Sequence, residues 1–317
     1  MPPRTTIAAT TAFPEPDFPF ACTLFTGSSK AFPPHTHEFT EIVVVFQGYT
    51  VDVINGRDHA LSAGSVVVMS GNDTHATLRS EHCRELLVQC DLERLGIATA
   101  DLQVLPGYHL LFDLEPRLRR HTAHTGLFKL DARGTAHAES LAQRLFEEWR
   151  ARHPGYRFFV ITLLRELIGF LCRAYTAPRL PSSHHLLRIS NALAYIHQHY
   201  DEPISIAALE RCTKMQHATL RRAFVSALGT TPLQYIIQHR LLKAAHLLRT
   251  TDHSITDIGI QVGFCDGNYF TRMFRKILGV TPRRFRAMND LTAQRLQHRL
   301  ALPVTTDNPR PPLPSPH

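Results

Sequence analysis

Four residues in the first quarter of the chain have the types and spacing to hold something polar: His35 and His37, then Glu41, and later His75. On an extended strand alternate residues share a face, so His35, His37 and Glu41 project together with Phe39, Val43 and Val45, while Ile42, Val44 and Phe46 point the other way. Three imidazoles and a carboxylate that converge have more than one use. They can bind a divalent metal, with geometry choosing among Fe, Mn, Ni, Cu and Zn. They can instead form a metal-free effector pocket, where His/Glu groups with Asn, Gln and aromatic neighbours suit the hydroxyls of a sugar or related polar metabolite. Histidines satisfied within a core are the third use, and the residue types leave all three open.

Convergence requires a rolled sheet, and the surrounding sequence supplies one. Short alternating runs at Phe20–Phe25, Phe39–Gln47, Tyr49–Ile54, Arg57–Leu61, Ser65–Met69, His75–Leu78 and Glu85–Cys90 are separated by turn residues, among them the hairpin pair Asn55-Gly56. Strands at this spacing argue for a small sandwich or barrel over residues 20–95. The proline-rich residues 1–19 before it read as a flexible arm. After it, residues 96–176 begin with an irregular connection, Pro106 to Pro116, in which Tyr108 and His109 are expected to pack rather than to cover a ligand. Two amphipathic helices follow, one with the stripe Ala138, Leu141, Ala142, Leu145, Phe146 and Trp149, the other with Ile161, Leu164, Leu167, Ile168 and Leu171. Pro154-Gly155 separates them.

The C-terminal third carries a different signal, a unit that occurs twice. Phe270, Arg272, Phe274, Gly279, Thr281, Pro282 and Phe285 match Leu220, Arg222, Phe224, Gly229, Thr231, Pro232 and Tyr235 at a constant offset. Ahead of the second helix the offset shortens by one, pairing Ser205 with Ser254, Ile206 with Ile255 and Leu209 with Ile258. In each copy glycine stops one helix, threonine caps the next and proline fits its first turn. Two short helices, a tight turn and a basic second helix make a helix-turn-helix. In the second copy Phe270, Met273, Phe274 and Ile277 form the buried stripe, and Asn268, Thr271, Arg272, Arg275 and Lys276 remain for DNA.

Residues 186–288 resemble the arabinose-regulator (AraC/XylS) family of bacterial transcription factors, through Gly263-Phe264, Tyr269-Phe270, Phe274, Gly279-x-Thr281-Pro282 and Phe285-Arg286. The resemblance implies two helix-turn-helix units joined by a long helix, here Pro232–Arg249, with the second helix of each in one of two successive major grooves. By position it assigns base edges to Ala218, Arg221 and Arg222 in the first unit and to Asn268 and Arg272 in the second. It also implies that the flanking helices of the first domain supply a homodimer interface and that RNA polymerase is a partner. Three residues depart from the pattern in the first unit, where Glu210, Lys214 and Gln216 replace a small alanine and a glycine-serine turn. Gly259 replaces the equivalent alanine in the second. The strand around His35 is similar to the cupin superfamily, in which His35, His37, Glu41 and His75 fall at the four metal-ligand positions, although Ser70, Asn72 and Arg79 depart from the second cupin motif. The His-x-His-x-x-x-Glu strand also resembles that of rhamnose-responsive regulators.

Charge supports this division. Residues 185–290 hold 14 Lys/Arg against 7 Asp/Glu, whereas residues 1–95 hold 6 against 11, so the polyanion-binding surface belongs to the C-terminal domain. The six cysteines show no CxxC pair, which reads as reduced thiols in a cytoplasm. No run is long and apolar enough for a membrane span or a signal segment. The expected protein is thus an α+β two-domain chain: a 1–19 arm, a 20–95 cupin-like barrel, 96–176 connecting and dimerisation helices, a 177–185 linker, a 186–290 all-α DNA-binding domain and a disordered 303–317 tail. Its expected role is a cytoplasmic regulator of transcription, an activator responding to a sugar-like effector. It needs no catalytic residue and no cofactor. The alternative is a divalent metal in the barrel, serving a metal-dependent sensor or a metallo-cupin enzyme fused to a DNA-binding domain.

Overall fold

The computed structural model describes residues 5–7, 12–29, 31–70, 73–121, 128–176, 184–289, 292–293 and 296. The expected linker lies almost wholly outside these residues, and the expected tail entirely so. Two compact units divide between Ser190 and Asn191.

Among the described residues the first unit contains eight strands: β1 Thr5–Ile7, β2 Phe20–Ser29, β3 Phe32–His37, β4 Thr40–Ile54, β5 Arg57–Ser62, β6 Ser65–Met69, β7 His75–Cys90 and β8 Phe128–Lys129. Long β4 and β7 run antiparallel for their full length and organise the rest. The first half of β4 pairs with β6 and its second half with β5. The start of β7 pairs with β3 and the remainder with β2. Two half-sheets therefore share two strands, and the shared strands must bend between them. Register shifts at Val45/Gln47, Gln47/Tyr49 and Val51/Asp52 mark the bend. Gly48 has φ +73°, and a Cβ there would fall on the His82 carbonyl oxygen, so only glycine lets the strands approach.

Folding one half-sheet over the other encloses a small core of Val43, Val45, Ile54, Leu61, Val67, Met69 and Cys83. The opposite face carries Ile42, Val44, Phe46, Leu86, Val88 and Cys90 into a larger core with the helices. The face assignment predicted around Val43 and Ile42 holds. The segmentation does not: Tyr49–Ile54 continues the preceding strand through Gly48, and His75–Cys90 is one strand rather than two, because cross-strand pairing carries the backbone through the irregularity at His82. A break at Glu38-Phe39 separates β3 from β4, so the histidine pair and Glu41 do not share one strand. The loose arm also needs correction for its described residues. Ile7 and its neighbours pair in parallel with His35–His37, while Phe13 and Phe18 are buried, Phe13 against the Phe39 ring.

Helices α1 Ala100–Gln103, α2 Pro106–Tyr108, a wide π-type turn His109–Leu114 and α3 Glu115–His121 lead to the long pair α4 Ala132–Ala151 and α5 Tyr156–Thr176. Asp131 caps α4 by accepting from the Gly134 amide. The stripes of α4 and α5 pack into the larger core as their spacing predicts, with Ala138, Leu145, Leu164, Leu167 and Ile168 fully buried. Tyr108 stacks on Phe112 beside that core, and His109 is buried against Asp113 and the Gln103 carbonyl, so both pack away from the barrel interior.

The second unit continues from α6 His184–His199 into α7 Ile206–Thr213, α8 His217–Leu228, α9 Pro232–Thr250, α10 Ile255–Gln261, α11 Gly267–Leu278 and α12 Pro282–Arg286. The duplication is visible in the caps. Ser205 and Ser254 accept from the amides of Ala208 and Asp257, Thr231 and Thr281 from those of Gln234 and Arg284. Gly229 and Gly279 take positive φ at the matching helix ends. Phe270, Phe274 and Phe285 are fully buried against α9 residues such as Leu241 and Leu248, each contributing about 1.5–3 kcal/mol of burial. The two turns are unequal. Gly263 makes the left-handed residue in the second, whereas Lys214 is forced into that conformation in the first. Asp266 caps α11 with two amide bonds, whereas Gln216 offers α8 none. Glu210 does not empty the first core, since Leu220 and Phe224 are fully buried. The matching pair in the second unit is Gly259 and the larger Phe270, and a Cβ on Gly259 would lie 2.9 Å from that ring.

Candidate functional site

His35, His37 and His75 are brought together at one end of the rolled sheet, each offering a ring nitrogen within 4.8 Å of the others. They come from one half-sheet: β3 supplies His35 and His37, and His35 is the cross-strand partner of His75 on β7. Glu41 comes from the other, where it pairs with Gln89 and Met69. The site therefore bridges the two half-sheets. All four predicted residues are buried, His37 most deeply at 2 % exposure.

Each side chain is held by a specific partner. His35 Nδ1 lies 3.0 Å from the Pro33 carbonyl oxygen and His37 Nδ1 lies 2.8 Å from that of Phe39. A carbonyl only accepts, so both Nδ1 atoms carry protons and both Nε2 atoms are left as acceptors in the neutral ring. The Phe39 ring stacks on His37, with centroids 4.1 Å apart and planes 5° apart. Glu41 faces His75 Nε2 at 3.2 Å through Oε1, and accepts from Gln89 Nε2 at 2.9 Å through Oε2. His37 Nε2 points at the same carboxylate from 3.7 Å without a hydrogen bond to it. That atom is buried and unsatisfied, as is His75 Nδ1.

Burial pushes the imidazoles of His35 and His37 below the usual histidine range, and His75 adds to the effect. For Glu41 burial alone would push the carboxyl up. Hydrogen bonds from His75 and Gln89 and the charge of His75 outweigh burial and hold it below the ordinary carboxylate range. The site thus keeps an ionised carboxylate beside neutral imidazole acceptors.

Three interior groups were not singled out from the sequence. Gln89 is the residue that orients Glu41. Asp52 and Glu85 lie close enough to influence Glu41, and both have carboxyls pushed up by burial. Asp52 accepts from the Thr50 hydroxyl, and Glu85 faces the Cys83 thiol at 3.4 Å. Strand parity on β7 carries the signal for Glu85 and Gln89, which alternate with buried Leu86 and Val88 of the opposite face.

The residues expected to meet DNA lie on α8 and α11. Ala218, Arg221 and Arg222 are exposed, as are Asn268, Arg272, Arg275 and Lys276, while Thr271 is half-buried. Met273 and Ile277 of the expected buried stripe lie at its edge, Ile277 being 36 % exposed. The Arg272 guanidinium lies over the Tyr269 ring at 5.3 Å. Arg240 of α9 braces the second turn by donating to the carbonyls of Tyr200 and Glu202, each at 2.7 Å. Among the described residues no helix is long and apolar enough to cross a membrane.

Residues 18–168 match the family model of the AraC-like ligand binding domain, and residues 209–288 match that of a helix-turn-helix domain. The HTH-type transcriptional activator RhaS of Escherichia fergusonii is 30% identical over 264 residues, 83% of this chain and 91% of that protein. The protein of the same name from Enterobacter sp. is 29% identical over 264 residues, with the same coverage of 83% and 91%. A solved transcriptional regulator from Chromobacterium violaceum, described as an AraC-type DNA-binding protein, is 32% identical over 32% of this chain and 89% of that chain, with a TM-score of 0.31.

Proposed function

The chain belongs to the AraC family of transcriptional regulators, and on that premise we propose that it is switched by a sugar bound beside His35, His37, Glu41 and His75. As a member of this family it is a transcriptional activator and not an enzyme. It binds DNA through the helix-turn-helix domain and a small effector through the N-terminal domain. The observation that carries the proposal is the buried, unpartnered Nε2 of His37 facing an ionised carboxylate inside the ligand-binding domain. A buried polar atom left unmade is costly, of order 1–3 kcal/mol, and a ligand hydroxyl removes that cost. The test is a reporter driven by the promoter that the protein occupies. A sugar should raise its output, and His37→Ala should abolish the response while leaving promoter binding in place. Loss of promoter binding together with the response would refute the assignment of His37 to effector sensing.

On the DNA side, Arg221, Arg222, Asn268 and Arg272 contact base edges. Ala218 makes room on the first helix, and Thr271, Arg275 and Lys276 serve the phosphates. Arginine forks suit guanine and the asparagine amide suits adenine. Pairing of two chains through α4 and α5 suits the exposure of Phe158 and Phe159, at 69 % and 50 %. It would place two DNA-binding domains on one operator, where they recruit RNA polymerase in the cytoplasm. Unequal binding of the sugar to two arrangements of that dimer is what shifts transcription.

One observation favours a second reading. The three histidines each offer a ring nitrogen within 4.8 Å of the others, and Glu41 lies beside His37 and His75, a ligand set that fits a divalent ion. Bound there, a metal would be the sensed species, held by His35, His37, His75 and Glu41. Metal analysis of protein purified without chelator decides between the two: stoichiometric metal lost in His35→Ala supports the ion, and its absence supports the metal-free pocket.

A further inference from the structure

The duplication in the C-terminal unit makes each copy a reference for the other. Between α11 and α12 the second copy exposes Arg275 and Lys276 on the last turn of one helix and Arg283 and Arg284 on the first turn of the next. Three residues, Gly279 to Thr281, separate the two helices, so the four cations gather at a single corner. At the equivalent corner between α8 and α9 the positions are held by Val225, Ser226, Leu233 and Gln234, which are also exposed but uncharged. Both corners have the same glycine stop and the same threonine cap. Backbone geometry therefore does not account for the difference in charge.

Helix stability does not account for it either. The first turn of a helix favours anions over cations, yet α12 opens with two arginines. In the first copy Gln234 Oε1 accepts from the Thr231 amide at 3.1 Å and completes a capping box. Arg284 stands at that position in the second copy, and a guanidinium has no acceptor atom to offer. Among the described residues none of the four cations forms an ion pair. Their charge is left for something outside the chain.

We infer that Arg283 and Arg284 are phosphate contacts, which with Arg275 and Lys276 form an anchor that holds DNA of any sequence, and that the first copy has no counterpart to this anchor. The inference rests on the DNA reading above and deepens it by giving the two copies unlike tasks. Each phosphate neutralised by a cation releases condensed counterions whatever the base sequence. Arg221 and Arg222 of the first copy read bases beside a corner that neutralises nothing, whereas Asn268 and Arg272 read them beside one that grips the backbone.

The test is fluorescence anisotropy of the full-length protein on two labelled random-sequence duplexes, with salt raised from about 50 to 200 mM. Arg283→Ala combined with Arg284→Ala should flatten the slope of log affinity against log salt by about 1.8, a loss of affinity across that range about tenfold smaller than the parent's, equally on both duplexes. Arg283→Lys combined with Arg284→Lys should keep the parent slope, because neutralisation needs charge and not a planar fork. Ser226→Ala combined with Leu233→Ala, the matched change in the first copy, should leave it unaltered. If the double alanine variant does not fold, Arg283→Ala alone gives the reading with about half the change. An unchanged slope in the alanine variant overturns the inference and leaves DNA binding by α8 and α11 standing. A loss that differs between the duplexes, or that persists in the lysine variant, overturns it by making the arginines base contacts or structural residues. An equal change in the first-copy variant overturns the division of tasks, and a parent that binds neither duplex overturns the DNA reading as well.

Discussion

The duplicated helix-turn-helix contains its own control experiment, because Lys214 and Gly263 occupy equivalent turns in the same left-handed conformation, at φ 53° and 93°. At Gly263 a Cβ would lie 2.5 Å from the Tyr200 carbonyl oxygen and 2.9 Å from the Arg240 guanidinium. Gly263→Ala therefore carries a left-handed backbone penalty of about 1–2 kcal/mol. It also displaces Arg240 from two carbonyls it holds at 2.7 Å, and a hydrogen bond from a charged group is worth about 1.5–3 kcal/mol. Loss of one of them brings the total to roughly 2.5–5 kcal/mol, a large share of the ~5–15 kcal/mol that holds a typical domain together. Lys214 is exposed and a glycine there loses no packing. Lys214→Gly relieves the same backbone penalty but returns about 0.4–1 kcal/mol through the freer unfolded chain, for a net gain of about 0.5–1 kcal/mol. Amide hydrogen exchange on the full-length protein resolves the two units separately: protection of α10 and α11 should fall in the first variant, and that of α7 and α8 should rise in the second. Unchanged exchange in α10 and α11 of Gly263→Ala would refute the account of the turn, since neither carbonyl nor guanidinium could then be where the structure puts it.

Four further outcomes are expected. Phe274→Ala should destabilise the second unit by about 3–5 kcal/mol, read as a lowered midpoint in urea; a loss below 1 kcal/mol would contradict its complete burial. Thr231→Ala removes a reciprocal cap at the start of α9 and should cost about 1 kcal/mol in the same titration. Arg272→Ala should lose about 1–3 kcal/mol of operator affinity and relax preference at one base pair, whereas equal loss on every sequence would make Arg272 a phosphate contact. For pH, His35 and His37 bind protons less readily folded than unfolded, so the unfolded chain takes up more protons as pH falls. Stability of the N-terminal unit should be full above the ordinary histidine value of about 6.5 and decline as pH drops below it toward the lowered folded values. Melting of His37→Gln should depend less on pH over that window, and an equal dependence would assign the effect to other groups.

Much of this protein is legible in its sequence because the relevant forces are local. Ser205, Ser254, Thr231 and Thr281 cap helices through amides three residues away, and Gly229 and Gly279 end helices by their own backbone freedom, so the duplicated units could be drawn from spacing alone. The parity of Val43 against Ile42 likewise assigned two faces of a strand. Tertiary structure decided the rest. Bulges around Gln47 and Gly48 shift β4 by one in parity, so the interior is lined by Glu41, Val43 and Val45 before the bend and by Thr50, Asp52 and Ile54 after it. No alternation rule carried along the chain predicts that change, and Asp52 was therefore missed. The candidate site itself joins His35, His37 and His75 on one half-sheet with Glu41 and Gln89 on the other. Residue type, local spacing and the resemblance to cupins named four of those five, but their meeting depends on where β7 crosses both half-sheets, a consequence of long-range pairing that no local interaction encodes.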